Sequence, residues 1–127
     1  MSFKPTNPTV WIEIPVTDMT KGIEFYKTVF NFEFKVDETG PNPVAMICAA
    51  GPDGVAGHLY PGKPSADGDG PTVHLAVHDT VEEAMDRLVN AGGTEVSPVI
   101  TIPPGRFAYA QDPEGNSIGL FEPNRAA

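Results

Sequence analysis

At 127 residues the chain is long enough to fold as one domain around a real core, and its 40% apolar content is ordinary for such a domain. Its net charge of −9 excludes nucleic acid and anionic membrane surfaces as partners, since both recruit clustered Lys and Arg. The same charge permits a cationic ligand, or does no more than keep the surface soluble. A single cysteine, Cys48, excludes an internal disulfide. With no export-type segment and no apolar run of membrane length, a cytoplasmic protein is the expectation.

Val10 to Val16 alternates, with Ile12, Ile14 and Val16 facing one way and Trp11, Glu13 and Pro15 the other, which predicts a half-buried strand. Asp18 is placed to cap a helix running to about Asn31, with Met19, Ile23, Tyr26 and Phe30 as its apolar stripe. Phe32 to Val36 alternates as a second strand, and Val44 to Ala50 reads as a third, with Cys48 as a small buried residue within it. Gly51-Pro52-Asp53-Gly54 is a hairpin turn leading into a fourth strand, Val55 to Tyr60. Gly62 to Gly70, rich in Gly, Pro, Ser and Asp, reads as a mobile linker.

Beyond the linker the order repeats. Thr72 to His78 predicts a strand that ends with His78 exposed. Asp79 then caps a helix with Glu82 at capping-box spacing, Val81, Ala84, Met85, Leu88 and Ala91 as its buried face, and Gly92-Gly93 as its stop. Thr94 to Ile102 is a strand interrupted at Pro98. Arg106 to Ala110 and Ser117 to Glu122 follow, joined by the turn Asp112-Pro113-Glu114-Gly115-Asn116, which reads as structural. The two halves stay in phase at an offset of 61 residues without a gap, so the expected fold is α+β, with two tandem β-α-β-β-β modules. Module one covers about residues 8–61, the linker 62–70 and module two about 71–123, in a single domain over 1–127. Each helix must cover one face of its own sheet, which leaves Trp11 and Glu13, with Thr72 and His74, on the opposite faces to line an open, barrel-like cleft.

The duplication, the segment Ile14 to Phe30 (IPVTDMTKGIEFYKTVF) and the segment Gly105 to Pro123 (GRFAYAQDPEGNSIGLFEP) together resemble the vicinal oxygen chelate superfamily of glyoxalase I, extradiol dioxygenases and fosfomycin- and bleomycin-resistance proteins. The second segment is most similar to a bacterial branch described as related to lactoylglutathione lyase. The resemblance implies a homodimer, with modules paired within one chain or swapped between two. It also implies a divalent metal in the cleft, held from the first and last strands of each copy. Those positions fall on Trp11 and Thr72, and on His58 and Gly119. Of these only His58 is a strong ligand, whereas a catalytic site needs about three, so no metal cofactor is expected there.

Glu13 and His74, also partners in the repeat, are each two residues beyond a lost ligand position and are the candidate catalytic acid–base pair. The plainer alternative is that they wet the cleft wall or form a hydrogen-bonded pair. Glu13, His58 and His74 together form a shifted-metal alternative suited to Zn or Fe. Candidate ligand-binding residues are Trp11, His58, Tyr60, Thr72, Arg106 and Phe121: aromatic walls suit a planar or cationic organic molecule, and Arg106 could clamp an anion unless it pairs with Glu114 or Asp112. For Phe107 and Tyr109 the inward-facing set is open, since Ala108 and Ala110 could face the cleft instead. The function expected is that of a glyoxalase-like small-molecule protein without the usual metal ligands. It is either an isomerase or lyase using Glu13 and His74, a binder sequestering a cationic or aromatic molecule, or a metalloenzyme with the shifted ligands.

Overall fold

The computed structural model describes residues 2–65 and 67–124. β1 (Trp11–Val16), α1 (Met19–Phe30), β2 (Phe34–Asp37), β3 (Val44–Ile47) and β4 (Ala56–Pro61) form the first module. β5 (Val73–Ala76), α2 (Val81–Asn90), β6 (Thr94–Glu95), β7 (Ile100–Ile102), β8 (Gly105–Gln111) and β9 (Ser117–Pro123) form the second. The extra strand arises at Pro98, which divides the counterpart of β2 into two short strands that both pair with β8. The sheets run β1-β4-β3-β2 and β5-β9-β8-β6. In each, the first strand pairs in parallel with the last, and the two registers obey the repeat: Glu13 stands opposite His58, and His74 opposite Gly119.

Strand alternation places Ile14, Val16 and Leu59 of one sheet, and Leu75, Ala108, Ala110, Ile118 and Leu120 of the other, against the helices in one continuous core. The helices pack on each other as well as on their sheets. The buried stripe of α1 is broader than its spacing predicts. Phe25 and Val29 are as buried as Tyr26 and Phe30, whereas Met19 and Ile23 are only partly covered, because Gly22 lets the helix sit tightly on Val16. Burial of such large side chains contributes about 1.5–3 kcal/mol each.

Local chemistry sets the helix ends. Asp18 accepts the Lys21 N–H as the cap of α1, and Asn31 ends it in the left-handed region (φ 62°). The expected Asp79 cap of α2 is displaced by one residue. Thr80 is the cap, accepting the Glu83 N–H and donating its hydroxyl proton to the Glu83 carboxylate, a capping box one step later than the Asp79–Glu82 spacing. Asp79 instead holds Arg87 through two oxygens at 2.7 and 2.9 Å, and Arg87 Nε donates to the carbonyl of Val29 near the end of α1. That hydrogen-bonded guanidinium holds the Asp79 carboxyl at a pKa of about 2.

Two further expectations change. β3 stops at Ile47, so Cys48 is exposed and not a core residue. The linker is anchored at Gly68, whose N–H donates to the Gly115 carbonyl, while Ala66 within it lies outside the described residues. No closed barrel forms, but the edge strands β1 and β5 come together. A cavity of about 140 Å³ is lined by Glu13 and Pro15 of β1, Val73 of β5 and Ser117 of β9. Each sheet leaves one helix-free face, with Trp11 and Glu13 on the first and Thr72 and His74 on the second, beside an open cleft. Among the described residues, no helix is long and apolar enough to cross a membrane.

Candidate binding cleft

On the wall from the first module, His58 projects from β4 between two residues of β1. The Trp11 indole Nε1–H donates to His58 Nδ1 at 3.0 Å, and Glu13 Oε1 lies 3.0 Å from His58 Nε2. An indole N–H can only donate, so His58 Nδ1 accepts and the ring proton resides on Nε2, directed at the carboxylate. Tyr60 meets the His58 ring edge-on, with centroids 6.1 Å apart. The imidazole is largely covered (14% exposed), whereas the Glu13 side chain is 64% exposed. Glu13, His58 and Tyr60 open into a pocket of about 400 Å³ closed on its far side by the Asp37–Val44 segment. Asp37 accepts both the N–H and the hydroxyl of Thr39, which lowers its pKa.

On the other wall, His74 occupies the same rung of the pleat but rises from the first strand of its module. Its ring lies over Gly119, where a Cβ would overlap the imidazole, so the glycine is the seat of the ring. Phe107, Tyr109 and Phe121 meet that ring edge-on, with centroids at 5.3, 5.7 and 6.5 Å. Among the described residues His74 has no hydrogen-bond partner, and partial desolvation by the surrounding rings lowers its pKa. Thr72 shares a hydrogen bond with Ser117 at the head of this wall.

Glu13 is thus joined to His58, not to His74 as the repeat alone implied. The residue across a parallel strand pair is a nearer neighbour than the symmetry equivalent. Phe107 and Tyr109, left open by the sequence, stand on the cleft face, because Ala108 and Ala110 are buried beneath the helices. Arg106 shares the helix side with those alanines. It pairs with Glu82 and, at 3.2 Å, with Glu122, not with Glu114 or Asp112, and so is removed from the cleft. Glu122 in turn accepts the Val81 N–H at the start of α2. The sequence placed Gly119 only at a lost ligand position, and the structure makes it the glycine over which the His74 ring lies. Its signal was the pairing of a glycine with an imidazole across the first and last strands.

The residues do not fit the metal that the resemblance implies. The indole proton occupies His58 Nδ1, the Thr72 hydroxyl is engaged by Ser117, and Gly119 offers no donor. Among the described residues no group of three or more His, Cys, Asp or Glu side chains is placed to hold a metal ion, so Glu13, His58 and His74 do not form the shifted set.

Comparison with known proteins agrees with this architecture. CFP32 of Mycobacterium bovis and of Mycobacterium tuberculosis are each 28% identical over 120 residues, covering 91% of this chain and 45% of theirs. The chain therefore spans under half the length of these relatives. Among solved structures, the fosfomycin resistance protein FosX of Listeria monocytogenes has a TM-score of 0.69 at 16% identity, covering 95% of this chain and 94% of its own. TnmS3 of a Streptomyces species, described as an antibiotic binding protein, has a TM-score of 0.62 at 25% identity, covering 95% of this chain and all of its own. The family model for the glyoxalase/bleomycin resistance protein/dioxygenase superfamily matches residues 9–120, and the chain belongs to that superfamily.

Proposed function

We propose that the protein is a binding member of its superfamily that holds a planar aromatic small molecule in the open cleft and needs no metal to do so. The observation that carries this reading is the wall around His74: an uncharged imidazole without a polar partner, framed by Phe107, Tyr109 and Phe121 on a solvent-facing sheet. Such a wall offers π-faces and edges with few polar groups to desolvate, which suits a flat ligand. The likeness to TnmS3, itself described as antibiotic binding, supports the same class of role. We extend the reading to a homodimer, as the resemblance implies. Isothermal titration of planar aromatic compounds tests the reading: saturable binding that falls about tenfold in Phe121→Ala is expected from the loss of one aromatic contact. Absence of saturable heat with every planar compound would contradict it.

A second reading keeps isomerase or lyase chemistry and moves it to Glu13 and His58, which at 3.0 Å are within proton-transfer distance. It predicts a folded Glu13→Gln variant that still binds ligand but has lost turnover. Undiminished turnover in that variant would exclude it.

A further inference from the structure

The Trp11–His58–Glu13 chain has a direction fixed by chemistry. The indole is a donor only, so it fixes which nitrogen of His58 accepts, and the proton left on Nε2 then fixes one oxygen of Glu13. Glu13 is thereby held although most of its side chain is in solvent, and its second oxygen takes no hydrogen bond among the described residues. Glu13 borders the pocket of about 400 Å³, where the Tyr60 ring stands beside the imidazole. Asp37, kept ionised by Thr39, lines the same pocket, and among the described residues no Lys or Arg does.

We propose that this relay makes Glu13 the recognition group for a cationic nitrogen on the ligand, an ammonium or amidinium, received between the free carboxylate oxygen and the face of Tyr60. A carboxylate beside an aromatic face is the combination that favours a cation over a neutral isostere. Trp11 occupies a position where the resemblance implies a metal ligand, and its indole N–H acts differently, orienting His58 and, through it, the carboxylate. Trp11 and His58 are positioning residues here, and Glu13 is the contact residue. The inference rests on the planar-aromatic reading above and adds charge selectivity to it.

Three matched probes separate the two: naphthylmethylammonium, neutral naphthalenemethanol and anionic naphthylacetate. Binding is followed by heteronuclear NMR on the Trp11 indole N–H, which is unambiguous because the chain has one tryptophan. The expected order is ammonium tightest, by about tenfold over the alcohol, with naphthylacetate weakest, and with salt weakening the ammonium probe alone. Glu13→Gln, which keeps an oxygen for His58, should erase the tenfold preference, so that the ammonium probe binds no more tightly than naphthalenemethanol. Trp11→Phe, which lacks the indole reporter and is therefore titrated by calorimetry, should retain part of the preference while the His58 ring nitrogens lose their single-tautomer pattern in long-range nitrogen–proton spectra, a change that simple loss of packing would not produce. Equal binding of ammonium and alcohol by the wild type, or an unchanged preference in Glu13→Gln, would overturn charge recognition while leaving the aromatic reading intact. Failure of all three probes to bind would overturn both.

Discussion

At the scale of single residues, the two walls of the cleft use one device in opposite senses. Each sheet carries one imidazole on the rung where its first and last strands meet. In the first module the partner is a carboxylate, Glu13, and in the second it is no side chain at all, Gly119. The contrast gives a sharp substitution. Gly119→Ala places a methyl group in the His74 ring, which must swing away from Phe107 and Phe121, and we expect a loss of about 1–3 kcal/mol of stability. Because the wall is disrupted, planar ligands should also bind more weakly; a variant with wild-type stability by urea unfolding and wild-type affinity would contradict this placement. His74 should titrate below its ordinary value of 6.5, since the surrounding rings disfavour the charged form. The unfolded chain then takes up that proton first, so the contribution to stability is fully present above 6.5 and is lost as pH falls through the folded value. An NMR titration of the ring with a midpoint at or above 6.5 would refute the desolvation.

At the scale of elements, most of the chain was readable in the sequence because its signals are local. The alternation in β1, the Asp18 cap, the break at Pro98 and the repeat's phase all depend on neighbours in the chain. What was not readable depends on a competitor elsewhere. Asp79 and Thr80 can both cap a helix, and Arg87 decides between them by claiming Asp79. Glu13 faces His58 because of parallel pairing with a strand 45 residues on, which repeat symmetry could not reveal. The cap assignment predicts that Thr80→Ala lowers stability by about 1 kcal/mol at every pH. Asp79→Asn should behave differently. Its carboxyl is depressed to about 2, so its contribution is whole above the ordinary value of 3.8 and disappears as pH falls through about 2. Thermal melts across acid pH should therefore show the gap between Asp79→Asn and wild type closing in that window, while the Thr80→Ala gap persists. A Thr80→Ala variant as stable as wild type at neutral pH would show that Thr80 is not the cap.

At the scale of the whole molecule, the turn from Asp112 to Asn116 fastens the second module to the first. Asp112, only 3% exposed, accepts the Tyr26 hydroxyl of α1 at 2.9 Å together with the backbone N–H groups of Glu114 and Asn116. Asn116 donates to the Pro15 carbonyl of β1, and both carboxylate oxygens of Glu114 accept the Thr17 N–H. Burial and the Asp112 charge raise the Tyr26 pKa well above its ordinary value, so the phenol stays a donor. Asp112→Ala leaves several buried donors without partners and should cost about 2–4 kcal/mol in urea unfolding, whereas Tyr26→Phe, removing one hydrogen bond, should cost about 1 kcal/mol. Equal losses in the two variants would show that the aspartate does not join the modules in this way.

This fastening, with the β1–β5 seam, fixes the two modules relative to each other, and the ligand proposed above would meet a wall from each. A heteronuclear NMR titration with naphthylmethylammonium tests this binding most directly. Saturable shifts at the Trp11 indole and at the rings of His74, Phe107 and Phe121 are expected. Shifts confined to the helix-side pocket lined by Lys21, Phe25 and Pro113, or none at all, would contradict it.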